Sequence, residues 1–257
     1  MNNPFRYLLA FAILAVSGSC INEISAKKLG VFNKVATPRY ITNGDKQIVF
    51  IGMHHIGKKE FYQDVKRICD SLYSNDYSIF FEGLNKVSYT DSLRRDSVYK
   101  KIRQLTGIHL LAMKKNGGYI DTVNNTLMGK KIKFISKYDL INQPRALLPL
   151  RDSVRVRNID ASLETALMET ERIYGPVILT PYDHNTLPGE EYKYKKKELK
   201  TPRSQYYLLG YRNKLIADSV LKGPDKIVLI YGAKHFEGIF ENLKASDPKY
   251  QQVLNFK

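Results

Sequence analysis

The sequence predicts an α/β fold: a mostly parallel central sheet with flanking helices and a site at the carboxyl edge of the strands. Three short runs rich in β-branched and aromatic residues carry the prediction: "KQIVFIG" at 46–52, "YSIFFEG" at 77–83 and "DKIVLIY" at 225–231. Each has the length of a buried strand and ends at a glycine or a polar residue. Amphipathic stretches of helical period separate them.

The first run ends at Gly52 and is followed by Met53, His54 and His55. From Lys59 to Tyr73, Phe61, Val65, Ile68, Cys69 and Leu72 fall on one face of a helix. The second run ends at Glu82, so strand, helix and strand make a βαβ unit with parallel strands and a right-handed crossover. From Ser204 to Leu221 the chain reads as a helix, with Leu208, Tyr211, Leu215 and Val220 on an inner face and Arg212 at its border. The third strand follows, then a turn at Gly232, His235, and a short helix carrying Ile239, Phe240 and Leu243. "KKNGGYIDTVNN" at 114–125 and "TPYDHNTLPGEEY" at 180–192 read as loops.

The 257 residues, 43% hydrophobic and 26% charged, suit one globular domain over 30–257. Ahead of it, Arg6 precedes an unbroken apolar run, Tyr7 to Val16, and then Ser17, Gly18, Ser19 and Cys20. This is the layout of a secretory signal peptide over 1–19, and the run is too short to cross a bilayer of roughly 30 Å. Small residues before Cys20 resemble a bacterial lipobox, with Ser17 where a leucine is usual. The alternatives are lipidation of Cys20, cleavage nearby without a lipid, or an uncleaved anchor. Residues 20–29 then form a tether, and the protein is exported to the bacterial cell envelope, facing the periplasm or held at the outer membrane.

With Cys20 assigned, Cys69 stands alone, so no disulfide framework exists, and its place on an apolar helix face makes it a buried small hydrophobe. The formal charge is +16, or +15 without residues 1–19, which hold Arg6 and no acid. The densest basic stretch, "EEYKYKKKELK" at 190–200, interleaves tyrosine with lysine, as a phosphate-binding surface does. Export argues against nucleic acid, and the stretch reads as a solvated loop whose charge suits acidic envelope components.

Parallel strands share a carboxyl edge, so His54 and His55, Glu82 and His235 emerge together where open α/β sheets hold ligands. Neutral imidazoles and a carboxylate are ligands for a divalent metal that keeps a position open for water or substrate. Manganese, cobalt and zinc fit His55, Glu82 and His235; without metal the same groups can act as general acid and base. Neighbours in extended chain face opposite ways, which favours His55 over His54.

At these residues the chain resembles the TraB/GumN/TIKI family. Gly52-Met53-His54-His55 and Gly232-Ala233-Lys234-His235 match its two Gly-x-x-His motifs, and Glu82 in "FFEGL" takes the position of its glutamate. "GYRNKLIADSV" at 210–220 looks like the family's Arg-Asn segment, which carries Arg212 and Asn213 over as residues that orient substrate or polarise its carbonyl. The resemblance implies an EreA/ChaN-like fold and, within the wider superfamily, metal-dependent proteases, erythromycin-esterase-like hydrolases and haem-associated lipoproteins. It implies a metal-dependent hydrolase of a peptide or other small acyl substrate, catalytic through Glu82, Arg212 and Asn213. The alternative is an envelope lipoprotein that binds haem or a small ligand without turnover. Two further histidines are weighed: Asp183 with His184 reads as a polar turn, and His109 as a packed helix residue. No serine lies in a Gly-x-Ser-x-Gly setting, so a serine hydrolase of the α/β type has no support.

Overall fold

The computed structural model describes residues 23–83, 91–108, 118–127, 130–144, 147–148, 154–187, 190, 192–194 and 196–256. The signal segment, Cys20 and His109 lie outside these. The chain is α/β, with a mixed six-stranded sheet and flanking helices.

The first strands of the chain are β1 (Arg39–Thr42), β2 (Gln47–Met53), β3 (Ile56–Lys58) and β4 (Ser78–Phe81). Short pairs follow at β5 (Ile120–Asp121), β6 (Thr126–Leu127), β7 (Lys130–Lys131) and β8 (Leu140–Asn142). The last are β9 (Val156–Asn158), β10 (Lys226–Gly232) and β11 (Gln251–Val253). The large sheet has the order β11-β1-β2-β10-β4-β9. Its four strands β2, β10, β4 and β9 run parallel, whereas β1 and β11 are antiparallel.

Two details of the sequence reading are corrected here. β2 and β4 are not neighbours, because β10 inserts between them, pairing Leu229 with both Phe50 and Phe80. The unit is a βαβ crossover opened by a late strand, which local sequence spacing cannot reveal. Strand β2 also continues through Gly52 to Met53.

β2 and β10 are apolar on both faces because both are covered. On one face Val49, Ile51, Ile79, Val228 and Ile230 pack against α2 (Lys59–Ser74) through Phe61, Val65 and Cys69. On the other, Ile48, Phe50, Phe80, Ile227 and Leu229 meet α8 (Tyr211–Leu221) and α9 (His235–Ser246). The period of two along each strand divides these residues between the layers. Cys69 is fully buried, and loss of hydration pushes its thiol up to about 12.

Smaller pieces complete the edge. α1 (Glu23–Lys28) lies in the stretch read as a tether, yet its Ala26 is buried with Val31, Ile56, Leu127 and Phe134. α3 (Ser92–Thr106), α4 (Phe134–Lys137), α5 (Leu163–Tyr174) and α6 (Pro181–Asn185) follow. α6 replaces part of the expected loop at 180–192. Its Asp183 is a cap, accepting from Thr180 N (2.8 Å) in a reciprocal capping box. The basic stretch also departs from a solvated loop: Lys196–Lys200 form a 3-10 turn, and Leu199 is buried.

The helix expected over 204–221 is built in three parts: α7 (Pro202–Gln205), a π turn over Tyr206–Gly210, and α8. It is buried on two sides. Leu208, Tyr211 and Leu215 pack towards α3 and α5, while Ile216, Ala217 and Val220 face the sheet. Arg212 and Asn213 therefore lie in the interior, each 5% exposed. No helix among the described residues is long and apolar enough to cross a membrane.

Candidate active site

Four parallel strands end at one rim. The residues just past them are His54 and His55 after β2, Glu82 after β4, Asp160 after β9, and the Gly232 turn with His235 after β10. A cavity of about 210 Å³ opens at this rim, and His54, His55, Glu82, Arg212, Gly232 and His235 all line it. Residues 180 positions apart in the chain thus share one space. Asn213 is not a lining residue and stands behind His235.

Glu82 is held from two directions. Its Oε1 accepts from Arg212 Nη2 at 2.7 Å, and its Oε2 accepts from the Gly232 backbone N–H at 2.7 Å. Gly232 allows this approach, since a Cβ there would lie 3.3 Å from Glu82 Oε2. Burial alone would raise the Glu82 carboxyl, but Arg212, His235 and His55 overcome this and hold it far below the usual carboxylate range. Glu82 is therefore an anion at neutral pH.

Arg212 is turned away from the role of a free fork. Its Nε donates to Asp160 Oδ1 at 2.8 Å and its Nη2 to Asp160 Oδ2 at 2.5 Å, a bidentate pair. Nη1 donates to the Leu208 carbonyl at 3.2 Å. With the bond to Glu82, four of about five guanidinium hydrogens are engaged. Asp160 has a fully buried side chain and is fixed in turn: its N–H donates to Asn158 Oδ1, and its Oδ1 accepts from Ala161 N. Burial works against the guanidinium's charge, but the two carboxylates raise its pKa well above the ordinary value.

The two imidazoles are placed differently. His235 is 3% exposed, and its Nδ1 lies 2.6 Å from Asn213 Oδ1. With the amide oxygen as the partner, Nδ1 carries the proton, and Nε2 is left as an acceptor 3.7 Å from Glu82 Oε1. Burial, then Arg212, lowers His235 to about 4. His55 is solvent-accessible, and its ring stacks on Tyr119 at 4.6 Å between centroids and 13° between planes. It still sits among many protein atoms, and this desolvation lowers its pKa although Glu82 opposes the shift. His54 also lines the cavity but is 9% exposed, packed 5.4 Å from the Phe61 ring and lowered to about 4 by burial. Its backbone carbonyl accepts from Tyr62 Oη at 2.8 Å. All three histidines are lowered from the ordinary value and are neutral at pH 7.

Gly52 serves the turn below: a Cβ there would lie 3.1 Å from Ala233 Cβ, so the glycine lets the two motif turns touch. Asp183 and His184 do not line the cavity, and Asp183 accepts from Thr180, Gln104 and Tyr192.

Two residues at the rim escape the sequence reading. Asp160 follows a strand of three residues in "VRVRNID", whose arginines hide its strand character; its one signal was a fourth polar strand end. Tyr119 stands in a stretch that reads as loop, and nothing in its spacing announces that it stacks on His55.

Comparison of the chain with models of known families, with curated proteins and with solved structures finds no match in any of the three.

For a divalent ion the geometry is mixed. Glu82 Oε1 and His235 Nε2 are near the separation of two ligands of one ion, about 3.4 Å for a tetrahedral site with bonds of about 2.1 Å. Glu82, however, has a guanidinium on that same oxygen and a backbone N–H on the other. No group of three His, Cys, Asp or Glu side chains gathers at metal-binding distance among the described residues. As arranged, the set His55, Glu82 and His235 does not fit a divalent ion unless Glu82 leaves Arg212.

Proposed function

We propose that this cavity is the active site of an exported hydrolase of the TraB/GumN/TIKI type. Its fold would be EreA/ChaN-like, with the site at the carboxyl edge of the strands and the chain tethered in the cell envelope through a lipid on Cys20. The bond cleaved is a peptide or other acyl linkage. One observation carries the reading: two acceptors, His235 Nε2 and Glu82 Oε1, face each other at 3.7 Å inside a buried polar cluster. Two facing lone pairs repel unless a donor stands between them. A water at ordinary hydrogen-bond length from both would donate one O–H to each.

Such a water is a nucleophile with its base in place. One of its protons passes to His235 Nε2 as its oxygen adds to the acyl carbon, and Asn213 Oδ1 holds the resulting imidazolium. The guanidinium hydrogen of Arg212 not used in the bonds above meets the oxyanion, in a site already preorganised by Asp160. Collapse breaks the acyl bond, and the imidazolium returns its proton to the departing alkoxide or amine. The products are an acid and an alcohol or amine. His55 and Tyr119, at the accessible side, orient the leaving group.

The experiment is turnover of chromogenic esters and peptide anilides by chelator-treated full-length protein, beside Glu82→Gln. Activity that survives chelation and falls at least a hundredfold in the variant supports the reading. Activity lost on chelation and restored by manganese, cobalt or zinc would instead assign the metal, with Glu82 exchanging Arg212 for the ion. The metal form keeps one observation in its favour, the anchoring of His235 Nδ1 by Asn213, which leaves Nε2 oriented. Haem fits less well: a cavity of about 210 Å³ lies below the roughly 300–1,000 Å³ of ordinary cofactor pockets.

A further inference from the structure

The walls of the cavity differ in kind from its floor. Leu208 and Leu209 from the π turn, Leu199 from the basic stretch, and Val31, Ile56 and Leu127 from the opposite side enclose it with aliphatic side chains. Leu208 belongs to one hydrophobic cluster and Val31, Ile56 and Leu127 to another, while Leu199 comes from a segment that the sequence presents as highly charged. Burying Leu199 there, at 5% exposure, gives that lysine-rich segment a structural reason to fold onto the site.

The charges at the floor cancel. By count, the two acids Glu82 and Asp160 stand against two bases: Arg212, which is paired with both, and Lys234, which lines the cavity. Arg212 cannot grip a carboxylate with a paired fork, because that fork already holds Asp160. A substrate acid would have to displace a fully buried aspartate. In size, about 210 Å³ exceeds an apolar cavity of about 150 Å³ that holds benzene.

We propose that the ligand of this cavity is an uncharged acyl compound, whose aliphatic or single-ring acyl group, larger than benzene, fills the space between Leu208, Leu209, Leu199 and Leu127. The assignment deepens the hydrolase reading and rests on it for the word acyl, but the recognition is separable from the chemistry. The carbonyl end sits at the Glu82 and His235 floor. The apolar end lies under the π turn. A terminal carboxylate on the acyl chain is disfavoured because it would be desolvated among Leu199, Leu208, Leu209 and Leu127.

The test is calorimetric binding of non-hydrolysable N-methyl amides to the full chain, with acyl chains of four to ten carbons, beside the corresponding amides that end in a carboxylate. The expected result is a Kd that tightens about threefold to fourfold for each added methylene until the space is filled. The carboxylate-ended amides should bind at least tenfold more weakly than neutral amides of equal length. Leu208→Gln should weaken the longer neutral amides more than the shortest one. Length-dependent binding of neutral amides, with no ester or anilide turned over, would leave the recognition standing and remove the hydrolase. Equal or tighter binding of the carboxylate-ended series, or no dependence on chain length, would overturn the recognition whatever the turnover.

Discussion

At the scale of residues, the site is a chain of contacts running from Asp160 through Arg212 to Glu82 and from Asn213 to His235. Each outer member fixes the charge or tautomer of the one inside it. Asp160→Asn removes the charge that matches a buried guanidinium and should cost about 3–5 kcal/mol, measured as a shift in the urea midpoint at constant slope. An unchanged midpoint would mean that the pair is not buried in solution. His54 and His235 are held near pKa 4 by burial, below the ordinary 6.5, so the unfolded chain takes up their protons first as acid is added. Stability should therefore fall between pH 6.5 and 4 and level off for these groups below that, by on the order of 3 kcal/mol per histidine at most. His54→Phe should flatten the urea-midpoint profile over this window. The depressed carboxyl of Glu82 adds a further loss as pH falls below the ordinary carboxylate range. The residues that carry this chemistry were legible where a strand of ordinary length delivered them. Asp160 was not, because a three-residue strand with Arg155 before it and Arg157 at its centre does not advertise itself, and neither was the grip that turns Arg212 inward.

Among the elements, the contact between α8 and α9 sets the catalytic geometry. Gly238 lies one turn along α9 from His235, and a Cβ there would fall 2.1 Å from Asn213 Nδ2. Alanine in a helix is ordinarily favoured over glycine by about 1 kcal/mol. Here Gly238→Ala should instead push Asn213 from His235 Nδ1, lowering kcat by tenfold or more while circular dichroism stays the same. A more stable variant with full turnover would show that the contact does not position the base. Strands β2, β4 and β10 and helices α2 and α9 were readable from pattern, since their apolar residues repeat at two or at three to four. The π turn was not, because the helix is apolar on two sides and its sequence periodicity fits an unbroken helix. The neighbour relation of β2, β10 and β4 was equally hidden: pairing is decided by where a late strand inserts, and local sequence holds no trace of it.

For the whole molecule, the sheet is a two-faced core whose carboxyl rim carries a cavity walled in part by Val31, by Leu127 of β6 and by Leu199, Leu208 and Leu209. Strand β10 lies at its centre, with Leu229 fully buried between Phe50 and Phe80. Leu229→Ala should cost about 2–5 kcal/mol by chemical denaturation, through lost contacts and the cavity left behind. Because β10 also delivers Gly232 and His235, the same loss should reach the site, so turnover and stability should fall together. The central claim is that His235 acts as base for a water it shares with Glu82. It is tested most directly by kcat/KM of His235→Asn against wild type on a neutral acyl ester, with circular dichroism and urea midpoint measured beside it. The account predicts a fall of at least a hundredfold in a folded protein; wild-type turnover in that variant would contradict it.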